Sequence, residues 1–456
     1  MNLHGFPALL WLLLPAALLN AQDAGVNEAD LFADTATVVA RKDSAIAAPQ
    51  KSTGISGDLS AQATASFPRD DWRGPGLATL AVGDLYLDAR LLQGIKGYAA
   101  VEASYEAGRD TAAFGLREIF VDMNIRGRAY FRAGKQVLQW GRCNFWNPTD
   151  LINVERRMFV QRLGSREGAF GLKAHVPFGT DYNIYGFLDT RGAVLADSLS
   201  TAGKFEFMVK GTEMAFSAWG RKNRMPVLGY DVSSRLAQID IAGEVSLFRR
   251  DNEKRMGQSG DSLFLENGPK EWAPRTALTL SHAFDVNGVP DRLLVSVEGY
   301  YNSAGTDSRM FDDTTLYKTD MPGPPREDFI VNGMPLSVDR PIPSMTRLAY
   351  FLGNGLYRPN EHSYYYAALF ASFSRFINSN MALSLNAIGN IGEKCAMLAG
   401  TLSYRDLRDL SLSLTVIGYP GKKGREYTLG YRFEDDGTLS FYDKGVDVQL
   451  TAGVAF

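Results

Sequence analysis

Long apolar runs are missing from most of this sequence. Beyond the first 21 residues no run approaches the about 20 apolar residues that a membrane-spanning helix needs. If the chain crosses a membrane, strands must do the crossing. Cysteine is also scarce, and without a C-x-x-C pair a structural zinc site is not expected. The two cysteines, Cys143 and Cys395, could pair in an oxidising compartment or could stay free.

Histidine is scarce, and no basic block is present. After residue 21 only His175, His282 and His362 remain, and none lies in a recognisable catalytic motif. A hydrolase needs a histidine beside a serine or a pair of acids, so we expect no enzyme, no catalytic residue, no metal and no cofactor. The formal net charge is −3 and no stretch is strongly basic, so nucleic-acid binding is not expected.

Alternating apolar and polar residues are what the sequence does contain. In the stretch 114–126, Ile119, Val121 and Met123 alternate with Glu118 and Asp122. This is the period of a strand with one apolar face. Segments of this kind recur to the C-terminus with turn residues between them, and the last one ends on Phe456. The series predicts an all-β chain, a single transmembrane antiparallel β-barrel of about 16–20 strands.

The two ends of the chain indicate export and assembly. Residues 6–19 form an apolar run of signal-peptide length, and Ala21 is a small residue at the expected cleavage position. We expect a signal peptide at 1–21, a periplasmic N-terminal segment at 22–53 and the barrel at 54–456. The closing strand that ends on Phe456 is similar to the signal read by the barrel assembly machinery, which we expect as a partner.

The longest interruption of the strand pattern is rich in proline and spans about 304–345. Such a loop in a compact barrel is usually a lid, a constriction or a surface epitope. Long loops of these barrels lie outside the cell. Counting the candidate strands back from the C-terminus places this insertion on the periplasmic side instead. One further strand at 346–352 would move its proline-rich part to the outside, so we expect a strand there.

The stretch 114–153 resembles a family of porin-like outer-membrane proteins known mainly as a domain of unknown function. The resemblance is carried by the pieces L-R-E at 116–118, V-D at 121–122, G-K-Q-V at 134–137, W-G at 140–141 and T-D-L-I-N at 149–153. It implies a barrel in a Gram-negative-type outer membrane and no catalytic residues. Val154 stands where the family usually has proline.

Charged residues on the polar face of these strands are the first candidate site. In a barrel they would line the lumen, because a charge on the lipid face costs about 2–4 kcal/mol at the bilayer midplane. Acids and bases could pair across strands and fill the interior, or they could set a field that selects solutes. The candidates for lining the lumen are Glu118, Asp122, Arg128, Arg132 and Lys135.

The loop that follows these strands is the second candidate site. Its Asn-Pro step at 147–148 favours a tight turn. Its tryptophans suit a membrane interface, and its arginines could give a constriction a basic face; the alternative is a solvated loop. The candidates are Trp140, Arg142, Trp146, Asp150, Asn153, Arg156 and Arg157.

The sequence therefore predicts a porin-like channel for passive or weakly selective uptake of small solutes. The alternative is a surface structural or adhesion barrel with a plugged lumen, in which the long loop is the working part. In either case we expect contacts with outer-membrane lipid and lipopolysaccharide.

Overall fold

The computed structural model describes residues 52–70, 72, 75–91, 94–108, 110–152, 159–160, 163–179, 181–191, 198–306, 310–311, 313–319, 330–331, 334–335, 344–405, 409–433 and 439–456. The expected signal peptide and nearly all of the N-terminal segment lie outside these residues.

Strands account for almost all of the regular structure in the described part of the chain. The first eleven are β1 (Ser52–Pro68), β2 (Gly76–Arg90), β3 (Lys96–Glu106), β4 (Thr111–Ile125), β5 (Ala129–Gln136), β6 (Ala169–Phe178), β7 (Tyr182–Asp189), β8 (Ser200–Val209), β9 (Thr212–Arg221), β10 (Val227–Leu236) and β11 (Ile239–Arg249). The next eight are β12 (Lys254–Ser259), β13 (Ser262–Asn267), β14 (Trp272–Val286), β15 (Val289–Asn302), β16 (Tyr317–Thr319), β17 (Ile330–Val331), β18 (Met334–Pro335) and β19 (Ser344–Met345). The rest are a short 3-10 helix (Arg250–Asn252), helix α1 (Arg347–Gly353) and strands β20 (Tyr365–Phe373), β21 (Met381–Asn390), β22 (Cys395–Arg405), β23 (Leu410–Gly418), β24 (Leu429–Phe433) and β25 (Leu439–Ala455).

Eighteen of the described strands form one closed antiparallel barrel, which confirms the predicted fold class and strand number. The wall consists of β1–β11, β14, β15, β20–β23 and β25. The barrel closes where β1 pairs with β25, with Leu59 opposite Val454 and Ala63 opposite Leu450. Closure leaves no strand edge unpaired in the wall, which is the condition for a sheet to cross hydrocarbon.

The two faces of the wall differ in chemistry because side chains alternate along each strand. On β23, Leu412, Leu414 and Val416 are exposed, whereas Thr415 and Ile417 are buried on the other face. Large apolar side chains are exposed in the same way around the barrel, among them Leu85, Val101, Leu228, Val297 and Leu450. A closed barrel with an apolar outer band and a polar interior is typical of a membrane-spanning barrel.

The connections divide the barrel into two ends. At one end, the turn end, strands are joined by short turns such as 126–128, 210–211 and 287–288, and both chain termini of the wall lie there. The four longest connections, 137–168, 250–271, 303–364 and 419–438, all lie at the other end, the loop end. The long insertion is therefore on the same side as the other long loops.

The predicted strand at 346–352 is wrong, because α1 occupies this position. The hydroxyl of Thr346 caps α1 by accepting from the backbone N–H of Ala349 at 3.2 Å. No described helix is long and apolar enough to span a bilayer. The sequence pattern also predicts a wall strand at 425–434, and including it made the strand count back from the C-terminus wrong. β24 lies there, but it pairs only with the first part of β25, beyond the wall, while β23 pairs with the rest.

Candidate functional site: a loop folded into the barrel

Residues 137–168, here called the constriction loop, join β5 to β6, and described residues of this loop pack against the inner wall. Leu138, Trp140 and Ile152 are buried in one apolar cluster with Phe187 of β7 and Ala202 of β8. On β8 the buried Ala202 lies three residues before the exposed Phe205, so the two side chains point to opposite faces of the wall. The cluster around Ala202 therefore lies on the lumen side. The first part of the loop is thus held inside the barrel.

A buried glutamate on β11 holds the start of the loop. Glu244 is 1% exposed. One carboxylate oxygen accepts the backbone N–H groups of Arg142 and Cys143 at 2.5 and 2.7 Å. The other oxygen accepts the N–H of Thr149 at 3.1 Å and its hydroxyl at 2.7 Å. Hydrogen bonds to a charged acceptor are stronger than those to a neutral one, so this contact fixes the loop to the wall.

A second buried glutamate, on β15, holds the middle of the loop. Glu298 is 0% exposed. It accepts the backbone N–H groups of Asn144, Phe145 and Trp146 at 2.6–3.2 Å. The hydroxyl of Thr279 on β14 donates to the same carboxylate at 2.9 Å. Successive backbone N–H groups that converge on one carboxylate form an anion-binding concavity, and here the anion belongs to the barrel wall.

The Arg142 side chain extends to three carboxylates on consecutive strands. Its Nε donates to Asp231 of β10 and its Nη2 to Glu206 of β8, each at 2.5 Å, and its Nη1 donates to Glu213 of β9. Lys204 of β8 lies 3.4 Å from Asp231 and donates to the carbonyl oxygen of Trp140 at 2.8 Å. With two cations and three anions, this group has a net negative charge.

The end of the constriction loop reaches a different part of the wall. The hydroxyl of Ser165 donates to Asp84 of β2 at 3.0 Å, and its backbone N–H donates to Glu102 of β3 at 3.0 Å. Arg117 of β4 pairs with the same Glu102. The described parts of the loop therefore contact β2–β4 at one end and β6–β15 at the other, so the loop crosses the lumen.

Aromatic residues fill the space between the loop and the wall. Trp146 stacks on Tyr300 of β15 with ring centroids 5.4 Å apart and an interplanar angle of 8°. Phe145 and Phe159 pack against Phe370 of β20, with centroids 6.1 Å from it. Together these rings occupy the loop-end half of the lumen beside β15 and β20.

Two other connections are tied to the constriction loop through Asn360 of the long insertion 303–364. The carbonyl oxygen of Asn360 accepts the indole N–H of Trp146 at 2.8 Å. Its backbone N–H donates to Glu426 at 3.0 Å, and its side-chain oxygen accepts the hydroxyl of Tyr427 at 2.8 Å. Glu426 and Tyr427 belong to the connection 419–438, so one residue joins three loops.

The wall that faces the Arg142 group carries no charge in its middle part. Strands β8 and β23 are nine strands apart in the barrel of eighteen, and so lie on opposite sides. In the middle of β22, β23 and β25 the polar described residues that face inward are hydroxyls and amides, namely Thr401, Ser403, Ser411, Ser413, Thr415, Gln449 and Thr451. The charged Asp447 lies on the same face nearer the loop end. A charged wall and a neutral wall therefore face each other across the lumen.

The five predicted lumen residues do not all lie in the lumen. Asp122 and Arg132 face each other across β4 and β5 and form a two-pronged ion pair at 2.6 and 2.8 Å. Glu118, on the same face, accepts the backbone N–H of Val137 at 2.6 Å. Arg128 lies in the exposed turn before β5, so its placement on the strand face was wrong.

Lys135 was also placed on the wrong face. It pairs across strands with Ile119 and Phe170, both exposed on the outside. Its Nζ bends over the loop end to the carbonyl oxygen of Leu116 at 2.7 Å and to Glu167 at 2.8 Å. Lys135 therefore anchors the end of the constriction loop rather than lining the lumen.

The predicted loop residues separate into three groups. Trp140 and Trp146 are buried against the inner wall rather than placed in an interfacial belt. Arg142 is the ion-pair centre described above, and the N–H of Asp150 closes a turn on the carbonyl of Asn147 at 3.0 Å. Asn153, Arg156 and Arg157 lie outside the described residues. Cys143 and Cys395 are both buried and free, so they do not form a disulfide.

The residues that hold the loop were not singled out from the sequence. Glu206, Asp231, Glu244 and Glu298 lie on strands that the pattern predicts, at the positions that alternate with exposed apolar residues such as Leu247 and Val297. An acidic residue in the inward phase of a barrel strand is therefore the signal that was available. It indicates the face, but not which loop the carboxylate meets.

No protein-family model matches this sequence, and no curated protein matches it. Solved structures match over most of its length. The crystal structure of Acinetobacter baumannii OccAB3 aligns with a TM-score of 0.50 at 9% identity, covering 89% of this chain and 99% of that one. Acinetobacter baumannii OccAB4 gives 0.49 at 8% identity over 90% and 99%, and the outer membrane protein opdK of Pseudomonas aeruginosa gives 0.46 at 6% over 88% and 98%. The likeness to OccAB3 shows the fold. Membership of the family that the stretch 114–153 resembles stays a prediction.

Proposed function

We propose that this chain is a porin-like channel of the outer membrane, through which small polar solutes pass along a lumen narrowed by the constriction loop. The observation that carries the proposal is the course of this loop, which crosses the inside of a closed barrel and is fixed to two separate parts of its wall. A barrel that served only as a surface scaffold would not need a loop fixed inside its lumen by buried carboxylates.

The proposed lumen is polar and asymmetric. The Arg142 group on β8–β10 has a net negative charge, and the described residues in the middle of the opposite wall carry no charge. Charges that face a neutral wall give a transverse field, which orients dipolar solutes and biases ion passage. We therefore propose weak selectivity, set by these charges together with the width that the loop leaves.

Single-channel recording of the refolded protein in a planar bilayer tests this function. The protein is compared with a variant in which 139–166 is replaced by a short Gly/Ser linker. We expect stable discrete steps for the natural chain and larger steps for the shortened loop. The matched control shortens the β12–β13 hairpin, residues 254–267, which lies in a loop outside the wall.

Heat-modifiable gel mobility shows that each protein is folded. If the folded natural chain conducts no ions and passes no small sugars into liposomes, the channel is refuted. If the loop variant conducts like the natural chain, the loop does not set the width.

A further inference from the structure

Glu244 and Glu298 contact the constriction loop only through groups that donate hydrogen bonds. Among the described residues, Glu244 accepts four hydrogen bonds and Glu298 accepts five, and both oxygens of each carboxylate are used. All of these donors belong to the loop except the hydroxyl of Thr279. Among the described donors, only the hydroxyls of Thr149 and Thr279 could also accept a hydrogen bond from a protonated carboxyl group.

This geometry favours the ionised form of the two side chains. An ionised carboxylate is purely an acceptor, whereas a protonated carboxyl carries an O–H donor on one oxygen. A proton on Oε1 of either side chain faces only backbone N–H donors. A proton on Oε2 requires the hydroxyl of Thr149 or Thr279 to turn from donor to acceptor. A buried donor left without its partner costs free energy that an exposed one does not.

Other charged and titratable groups surround the two carboxylates. Asp231 of β10, Lys204 of β8 and Arg142 of the loop lie beside Glu244. The thiol-bearing Cys143 of the loop lies between Glu244 and Glu298. The phenols of Tyr300 on β15 and Tyr366 on β20 face the aromatic cluster next to Glu298. Of the described groups here, only carboxyl groups ordinarily titrate in the acidic range.

We propose that Glu244 and Glu298 form a carboxylate clamp, which positions the constriction loop while both side chains are ionised and releases it when they are protonated. Acid then loosens the loop and widens the lumen. The clamp itself is independent of the proposed function, but its effect on conductance rests on that function.

The natural Cys143 reports the release of the loop directly. It is 1% exposed and lies between two residues whose N–H groups the clamp holds. In a Cys395→Ala background it is the sole thiol of the chain. We expect E244Q/E298Q, which presents a donor where the carboxylate accepts, to react with a water-soluble maleimide about tenfold faster at neutral pH, equivalent to about 1.4 kcal/mol.

A matched control removes a carboxylate from the same strand without touching the loop. Asp240 faces inward on β11 but pairs with Arg235 near the turn end. We expect D240N to leave the labelling of Cys143 unchanged. If D240N accelerates labelling as much as E244Q/E298Q does, the effect is a general loosening of the barrel and the clamp is refuted.

Conductance against pH separates a clamp from simple packing. For the natural chain we expect larger and noisier steps as the pH falls from about 7.5 to about 4.5, across the range in which carboxyl groups gain protons. E244Q/E298Q should show the large steps already at neutral pH, with a flat profile. If this variant does not fold, the fluorescence of Trp146 in the natural chain, isolated by difference from W146F, should shift to the red on acidification.

The outcomes distinguish the two proposals. Fast labelling in a folded protein that conducts nothing supports the clamp and refutes the channel. Slow labelling and an unchanged pH profile in a folded E244Q/E298Q barrel refute the clamp and leave the channel untouched. No red shift in the natural chain over the same pH range also refutes the clamp.

Discussion

The indole N–H of Trp146 donates to the carbonyl oxygen of Asn360 at 2.8 Å, and this bond ties the constriction loop to the long insertion. We predict that W146F, which keeps an aromatic ring on Tyr300 but removes the donor, weakens the attachment by about 1 kcal/mol. W146A also empties the ring site and should cost about 3–5 kcal/mol. The temperature of the heat-modifiable gel transition measures both effects, and the proposed channel noise should rise in the same order. Equal transitions for W146F and the natural chain would contradict the link.

Charge reversal at two arginines tests which of them faces the lumen. Arg132 forms a two-pronged ion pair with Asp122 on the inner face, whereas Arg128 lies in an exposed turn. We predict that R132E shifts the reversal potential in a salt gradient towards cation passage, because it leaves two acids side by side in the lumen. R128E is the matched control and should shift the potential by much less. A larger shift for R128E would place the turn, not the strand face, in the ion path.

The strands and their faces could be predicted from the sequence, because alternation is a local property. The β4 pattern around Ile119 and Asp122 gave the correct face for Glu118 and Asp122. The inward assignment of Lys135 did not follow this alternation: Lys135 is three residues after the inward Arg132, so strict alternation puts it on the outer face, where it pairs with Ile119 and Phe170. Local patterns also misled at 346–352, where T-R-L-A-Y-F-L suits a short helix with a threonine cap as well as a strand.

The fold of the constriction loop could not be predicted in this way. The residues that hold it come from far along the chain: Glu244 binds the backbone of Arg142, and Glu298 binds the backbone of Trp146, more than 100 residues away in each case. Alternation along the strands indicates that such carboxylates face inward. Their loop partners are backbone groups, however, which carry no sequence signal. The site therefore emerges only when closure of the barrel brings β11 and β15 to the same lumen as the loop.

Loss of the Arg142 guanidinium should destabilise the protein more than loss of a comparable surface cation. In R142M the carboxylate of Asp231, which is 0% exposed, keeps Lys204 as its one cationic partner among the described residues. Removing one partner of a buried ion pair costs about 3–5 kcal/mol. R235M removes a cation whose side chain is 45% exposed and which pairs with Asp240, and such pairs contribute only about 0–1 kcal/mol. The heat-modifiable transition should fall clearly in R142M and hardly at all in R235M; the opposite order would contradict the ion-pair assignment.

The attachment of the long insertion should weaken in acid through Glu253. Burial disfavours the charged form of this carboxyl group, but Arg275 of β14 and Arg358 of the insertion favour it more, so the pKa of Glu253 lies below its ordinary value of 4.5. Since the folded protein binds this proton less tightly than the unfolded chain does, the stabilisation is fully present above that value and is lost as the pH falls below it towards the folded pKa. Hydrogen exchange of 347–362, corrected for the intrinsic rate, should therefore rise between about pH 6 and about pH 3 in the natural chain.

The matched variants for this pH effect are E253Q and D251N. E253Q should exchange faster already at neutral pH and depend less on acid, since Arg358 has lost its 2.8 Å ion pair. D251N breaks the neighbouring pair with Arg249, which does not reach the insertion, and should behave like the natural chain. A natural chain whose exchange does not change with pH would show that Glu253 does not hold the insertion.

Phe456 takes part in closing the barrel. Gly57 of β1 and Phe456 exchange two backbone hydrogen bonds of 2.9 Å, and a side chain at Gly57 would approach the ring of Phe456 within 2.7 Å and the carbonyl oxygen of Asp84 within 2.6 Å. We predict that G57V strains this closure and lowers the fraction of heat-modifiable, folded barrel after refolding in detergent. Deleting Phe456 should reduce refolding less, because the β1–β25 pairs from Asp58–Ala455 to Pro68–Lys444 remain. If the assembly machinery reads this residue, the deletion should strongly reduce the amount of barrel assembled in cells. Equal losses in cells and in detergent would mean that Phe456 serves closure alone and that the expected partner does not recognise it.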